Sequence, residues 1–258
     1  MAYEGETMEI GVIGVGAIGG TIARKLSANG HSVRVANSRG PGAVKDFAGE
    51  IGAAAVDVYG AVKGADVLIL SIPFPAVEKL PADLFDAASS DLVIIDTGNY
   101  YPDMRDPRIA EIDAGIPESV WVSKQIGRPV IKAYNNILAP SLAELGQPEG
   151  SPGRLAVAVA GDDTRAKQIT MQLVNETGFD PVDGGTLDQS WRQQPSTPSY
   201  CCDYDAETMR EALAAAVKGE AEKIRDNWKE IFGKLPANPT HADMIALNRS
   251  VNTPPSKS

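Results

Sequence analysis

Gly14, Gly16 and Gly19 stand in the run Glu9-Ile-Gly-Val-Ile-Gly14-Val15-Gly16-Ala17-Ile18-Gly19-Gly20, an apolar segment that passes into a glycine loop and then into a helix-forming stretch. This spacing suits a dinucleotide pyrophosphate: the first glycine permits a tight turn, the second lets the backbone approach the phosphates, and the third lets the helix lie close to the strand. The helix N-terminus adds free N–H groups and a partial positive charge. Roughly 20 residues further on, a carboxylate would accept bonds from the ribose hydroxyls of NAD. The chain has Asn37-Ser38-Arg39 there. No acid repels a 2′-phosphate, Ser38 can donate a hydrogen bond and Arg39 offers a charged fork, so NADP(H) is the expected cofactor.

Three further segments end apolar runs and so belong on the carboxyl rim of a parallel sheet, where ligands bind. They are Leu70-Ser71-Ile72-Pro73-Phe74, Ile95-Asp96-Thr97-Gly98-Asn99-Tyr100 and Lys132-Ala-Tyr134-Asn135-Asn136-Ile137. Ser71, Ile72 and Pro73 would wall the cofactor, and Thr97, Gly98 and Asn99 would lie near the nicotinamide. The competing readings are strand termination at Pro73, an Asx-type turn at residues 97–99, and a surface charge at Lys132. Trp191 could stack on a planar substrate and Arg192 bind its anionic group, or the pair could anchor a C-terminal helix to the core. Proton donors are few: Tyr134, Lys132 and Tyr200 are the candidates. His31 reads as a surface turn residue, and His241 reaches a cleft only if the tail folds over it. The adjacent Cys201 and Cys202 match no metal-site spacing, and no metal is expected.

These side chains need a frame. The runs Glu9–Ile13, Ser32–Ala36, Val67–Ser71, Leu92–Asp96 and Val130–Tyr134 are apolar nearly throughout, as strands covered on both faces are. Helix-length segments separate them. Ala17–Asn29, for example, carries Ile18, Ile22 and Leu26 on one face and stops at Gly30. After the Gly/Pro-rich residues 146–153 come a strand at Leu155–Ala160 and a helix at Thr164–Thr177. The expected fold is α/β: a Rossmann domain with a doubly wound, mostly parallel sheet over residues 8–180, and a small, mainly helical segment over 181–258 for substrate and dimer contacts. Met209, Leu213, Val217, Ala221, Ile224, Trp228 and Ile231 predict one long helix over Asp205–Phe232. The proline-containing tail should be irregular, with a short helix near His241–Leu247.

Composition narrows the classes. The 258 residues are 43% apolar and 22% charged, near the globular average, with a formal net charge of −10. A phosphate backbone would be repelled, so nucleic acid is not an expected partner. No apolar stretch reaches the roughly 20 residues that span a bilayer, so no membrane partner is expected. Met1–Glu9 lacks a basic and an apolar leader region, which points to a cytoplasmic setting.

Together the glycine loop, Asn37-Ser38-Arg39, Ser71-Ile72-Pro73, Lys132-Ala-Tyr-Asn135-Asn136-Ile137 and Ala158-Val-Ala-Gly161-Asp162-Asp163 resemble the NADP oxidoreductase family that acts on the deazaflavin coenzyme F420. The resemblance extends over about residues 9–190, and the N-terminal half is also similar to pyrroline-5-carboxylate reductases. It implies hydride transfer between NADP(H) and a flat ring, with coenzyme F420 as the second substrate, without a covalent step. By position, Gly14 to Gly19, Ser38, Arg39, Ile72 and Pro73 would hold NADP(H), and Asn135, Asn136 and Ile137 would approach the second substrate. The segment from Leu187 to Tyr200 and everything after it depart from the compact family pattern. Two other readings therefore stay open: reduction of a small C=O or C=N substrate, and a non-catalytic NADPH-binding module. A small-molecule substrate and a homodimer are the expected partners.

Overall fold

A computed structural model describes residues 7–252 of the chain. The predictions that fall on residues 1–6, and on Pro254 and Pro255 of the tail, lie outside the described residues. Among the described residues eight strands are formed: β1 (Glu9–Ile13), β2 (Ser32–Ala36), β3 (Ala54–Ala55), β4 (Val67–Leu70), β5 (Val93–Asp96), β6 (Ile131–Lys132), β7 (Ala156–Val159) and β8 (Asp180–Asp183). The first six make one parallel sheet in the order β3-β2-β1-β4-β5-β6. β7 and β8 form a parallel pair that joins the sheet through an antiparallel bridge between Lys132 and Ala160. This is the doubly wound Rossmann fold with a helical C-terminal part.

Alternating side chains of each strand feed two cores. Val67 and Ile69 of β4 face one cluster with Val12, Ile95, Ile22, Leu26 and Leu173. Leu68 and Leu70 face the other, with Ile94, Ala61, Trp121 and Val122. Helices cover both faces, which is why these strands read as continuous apolar runs. The helices are α1 (Ala17–Ala28), α2 (Lys45–Ile51), α3 (Val58–Val62), α4 (Phe74–Val77), α5 (Ala110–Asp113), α6 (Glu118–Ile126), α7 (Ala139–Glu144) and α8 (Thr164–Glu176). Among the described residues no helix is long and apolar enough to cross a membrane.

The predicted strand at Val130–Tyr134 shortens to two residues, because Tyr134 turns to φ 60° and ends the ladder. β8 spans residues 180 and 181, so the expected domain boundary falls inside a strand. His31 is not a surface residue. Its Nδ1 accepts from the Met8 N–H at 3.1 Å and its Nε2 lies 2.6 Å from Glu176 Oε2, tying the start of β1 to the end of α8.

The long helix over Asp205–Phe232 is instead three: α9 (Ala206–Ala215), α10 (Glu220–Arg225) and α11 (Trp228–Phe232). Gly219 at φ 88° breaks the first junction, a conformation glycine takes freely and a helix cannot contain. Met209 and Leu213 stay buried, whereas Val217, on the same predicted stripe, is exposed. The tail helix is longer than its sequence suggests. It is α12 (His241–Val251), capped by Thr240 and Asp243 in a reciprocal box.

α12 docks through polar bonds. His241 Nε2 lies 3.0 Å from Asp203 Oδ2, which also accepts from Ser141 Oγ at 2.9 Å. Asn252 Nδ2 donates to the carbonyl of Tyr200 and Asn248 Nδ2 to that of Cys201. The Arg249 guanidinium donates to the carbonyls of Cys202 and Asp203.

Candidate functional site

β1 has β2 on one side and β4 on the other, so the chain reverses its direction of winding at β1 and a crevice opens beyond its carboxyl end. The glycine loop lies there. Gly14 has φ 99°, and a Cβ on it would meet Ser71 O at 2.1 Å. A Cβ on Gly19 would meet Gly14 O at 2.1 Å and Ser71 Cβ at 2.8 Å. α1 is thus pressed against the strand it follows. Gly16 is the contrast: it is exposed, and a Cβ there would meet nothing within 4 Å. That open space lies directly before the first turn of α1, which has no side-chain cap and no acidic residue. The unpartnered N–H groups and the space in front of them fit a pyrophosphate.

Around the loop, Val15 and Ile18 pack against the core and Ala17 faces outward. Asn37 Oδ1 accepts the Arg39 N–H at 2.9 Å, closing an Asx turn that leaves Ser38 and Arg39 exposed at the end of β2. Ser71 and Ile72 are half-buried on the opposite wall, with Pro73 exposed at the start of α4.

The rim of β5 and β6 is organised from beneath. Lys132 is fully buried, not a surface charge: its Nζ donates to Gly98 O at 2.9 Å and lies 3.4 Å from Glu118 Oε2 and 3.9 Å from Asp96 Oδ2. Asp96 accepts the Gly98 N–H at 2.9 Å and the Ser119 hydroxyl at 2.6 Å. One ammonium therefore serves two carboxyls in a dry setting. Burial pushes Glu118 up to about 7, although Lys132 pulls it down. Above this network Thr97 Oγ1 donates to Leu70 O. Asn99 and Asn135 bond each way, Asn99 Nδ2 to the main-chain carbonyl of Asn135 at 2.9 Å and Asn135 Nδ2 to Asn99 Oδ1 at 3.0 Å.

Several candidates sit elsewhere than expected. Tyr134 is fully buried and its hydroxyl pairs with that of Thr177 at the end of α8, which leaves it enclosed and not open to a ligand. Asn136 is enclosed: it donates to Ser199 O and accepts the Ala158 N–H. Ile137 lies in the core. The second hydrogen of Asn135 Nδ2 goes to Gln193 O at 2.7 Å. Residues 187–193 form a 3-10 helix in which Arg192 lies 4.9 Å over the Trp191 ring and donates to Leu213 O, the end of α9. This is the anchoring arrangement, with the guanidinium committed to protein partners. Tyr200 is placed otherwise: its hydroxyl meets that of Tyr101 in a short hydrogen bond.

Sequence reasoning missed Glu118, Gln193, Tyr101 and Arg105. Gln193 Nε2 bridges Asn135 Oδ1 and Ala158 O, and Arg105 donates to Asn99 O. No spacing marks them: Glu118 opens α6, Gln193 ends the 3-10 helix, and Tyr101 and Arg105 follow the rim segment without a motif of their own.

Comparison with known proteins agrees with this layout. The profile of the family described as NADP oxidoreductase coenzyme F420-dependent matches residues 9–100, a narrower span than the 9–190 over which the motifs resemble that family. The Escherichia coli K12 protein YjhV is 53% identical over 127 residues, 49% of this chain and 85% of the relative. A hypothetical protein from Sinorhizobium meliloti superposes with a TM-score of 0.61 at 29% identity, over 74% of this chain and 91% of that one. An Arthrobacter protein named for F420-dependent NADP reduction shares the fold at TM-score 0.55 and 20% identity, over 71% of this chain and 87% of its own. The family profile over residues 9–100 places the chain in the NADP oxidoreductase coenzyme F420-dependent family, as an NADP-dependent oxidoreductase.

Proposed function

We propose that the chain reduces a planar acceptor with NADPH, and that deazaflavin F420 is the acceptor its family membership implies. The observation that carries the nucleotide half of this reading is the open space at Gly16 before an uncapped helix, with Ser38 and Arg39 exposed in a run, residues 37–44, that holds no carboxylate. The loop from Gly14 to Gly19 would hold the pyrophosphate, Ser38 and Arg39 the 2′-phosphate, Ile72 and Pro73 one face of the cofactor, and Thr97 to Asn99 the nicotinamide end. Bound there, NADPH supplies the hydride. The chain's own part is to position and to exclude water. The Lys132 bond to Gly98 O and the two bonds between Asn99 and Asn135 fix the rim so that it need not reorganise when ligands bind.

One observation favours a second acceptor class, a small C=O or C=N compound. Asn136 and Ile137 are enclosed and Arg192 is committed to Trp191 and Leu213, so the surface that would receive a large flat coenzyme is filled by the chain itself. Exposed Val217 and Phe232 on the C-terminal part support a homodimer as the assembly.

NADPH oxidation followed at 340 nm, with coenzyme F420, free flavins and a panel of ketones and imines, tests these readings. Turnover of F420 supports the first and turnover of only a ketone or imine the second. Tight NADPH binding with no turnover on any of them would leave the binding-module reading.

A further inference from the structure

Three buried ionisable groups lie directly under the rim segment that follows β5. Asp96, Glu118 and Lys132 are 2%, 0% and 0% exposed. They hold the main chain on both sides of Asn99. Asp96 Oδ1 accepts the Gly98 N–H and Lys132 Nζ donates to Gly98 O, each at 2.9 Å, while the Glu118 carboxyl accepts the Tyr100 N–H. A change of charge in this network therefore acts on the segment at bonding distance.

The charges do not balance. Lys132 supplies one positive charge to two carboxyls, 3.4 Å from Glu118 Oε2 and 3.9 Å from Asp96 Oδ2. Asp96 has further donors in the Gly98 N–H and the Ser119 hydroxyl, whereas Glu118 Oε1 has no partner among the described residues. Glu118 is thus the member that can hold either charge state. Its other neighbours leave the balance unchanged. Arg225 of α10 faces it but pairs with Asp226 at 2.9 Å, Arg105 pairs with Asp106 at 3.0 Å, and burial keeps the Tyr101 phenol neutral. From the end of the 3-10 helix the Gln194 amide oxygen accepts the Glu118 N–H at 3.2 Å. The network is neutral with Glu118 protonated and carries one negative charge with Glu118 ionised. Desolvation places that change near neutral pH, at about 7.

NADP(H) brings a matching variable, since its nicotinamide ring is neutral when reduced and cationic when oxidised. We infer that Glu118 sets which oxidation state of the cofactor the chain prefers: ionised, it favours the cationic ring of NADP+ on the rim above it, and protonated, it withdraws that preference. The inference rests on the reading of residues 97–99 as the nicotinamide end and adds the regulation of that site. Enclosed beneath the main chain, Glu118 is a positioning residue that acts through its charge and not by contact. In a dry setting that charge is little screened by solvent. Linkage makes the effect reciprocal: binding of NADP+ draws Glu118 toward its ionised form and a proton leaves, whereas NADPH has no such pull.

Calorimetric titration of the full chain with NADP+ and with NADPH, at pH 6 and pH 8, tests this. A unit charge a few side-chain layers away changes affinity about tenfold at the effective dielectric of a protein. For a group titrating near 7, about fivefold of that falls between the two pH values. The ratio of NADP+ to NADPH affinity should therefore rise about fivefold from pH 6 to pH 8. The 2′-phosphate titrates in the same range but is common to both forms and cancels in the ratio. Near pH 6.5, NADP+ should release about half a proton more than NADPH, read from binding enthalpies in buffers of different ionisation enthalpy. In Glu118→Gln, which keeps the size and an acceptor oxygen, both differences should vanish while each form still binds. The wild-type proton count needs no variant, so it serves even where glutamine is not tolerated. A flat ratio with equal proton counts in the wild type, or a pH-dependent ratio that persists in Glu118→Gln, overturns the inference and leaves the cofactor reading intact. Failure of both forms to bind removes the cofactor reading and this inference with it.

Discussion

Glu118 shares one buried ammonium with Asp96, and replacing it with glutamine should change how stability depends on pH. Its carboxyl is fully buried, 3.4 Å from Lys132 Nζ, with Oε1 unpartnered among the described residues. Desolvation raises it from 4.5 to about 7. A carboxyl raised on folding contributes stability that is present below its unfolded value and lost as pH rises through the folded one. The window is therefore about 4.5 to 7. Integrated from pH 5 to pH 8, the loss is about 2–3 kcal/mol, because most of the separation between the two values lies in that range. In Glu118→Gln the amide cannot ionise, and Lys132 keeps Asp96 as its counter-charge, so the loss is absent. For a chain of this size that loss corresponds to roughly 5–10 °C in Tm. Thermal melts of the wild type and Glu118→Gln at pH 5 and pH 8 read it directly: the variant should gain on the wild type by that amount as pH rises. A Tm difference that is flat with pH, or that moves toward the wild type, would refute the shared-ammonium account.

Arg39→Asp should lower the ratio of NADPH to NADH affinity at least tenfold in calorimetric titration, through a lost charge-assisted contact and an added repulsion; an unchanged ratio would displace the 2′-phosphate from Ser38 and Arg39. Gly16→Ala and Gly19→Ala should behave oppositely. The Gly16 Cβ has free space, so folding is kept and NADPH affinity falls at least tenfold, whereas the Gly19 Cβ strikes a backbone oxygen and costs about 1–3 kcal/mol of stability. A Gly16→Ala protein that binds NADPH normally would remove the loop from the cofactor site. Burial pushes the Cys202 thiol up to about 11, so Ellman's reagent at pH 8 should react with it far more slowly in the native chain than in urea, and faster once Asn248→Ala loosens α12. Light scattering should give twice the 27.2 kDa chain mass if the homodimer forms, and the chain mass if it does not.

How far the sequence could be read depended on whether position alone carried the information. β1, β2 and the glycine loop were legible because apolar continuity and glycine spacing are local, and the ends of β1 and β2 match their predicted residues. The C-terminal part was not, because a stripe of apolar residues at helical spacing says nothing of the break that Gly219 imposes between two parts of it. The rim was legible only by its residue types. Lys132 looked like an ordinary charge because its partners, Asp96 and Glu118, come from other elements, and the pairing of Asn99 with Asn135 joins strand ends 36 residues apart. Tyr200 carried no signal of its partner, since Tyr101 lies 99 residues away.

The bonds from α12 end on the main-chain carbonyls of Tyr200, Cys201, Cys202 and Asp203, a run that includes left-handed backbone at Cys201 and Asp203. Carbonyls are the same whatever side chain follows them. The shape of this stretch is therefore held independently of most of the side chains it carries, and those side chains can be exchanged without dismantling the support behind them. A chain built this way can vary the residues mounted on this stretch while the backbone that carries them keeps its course.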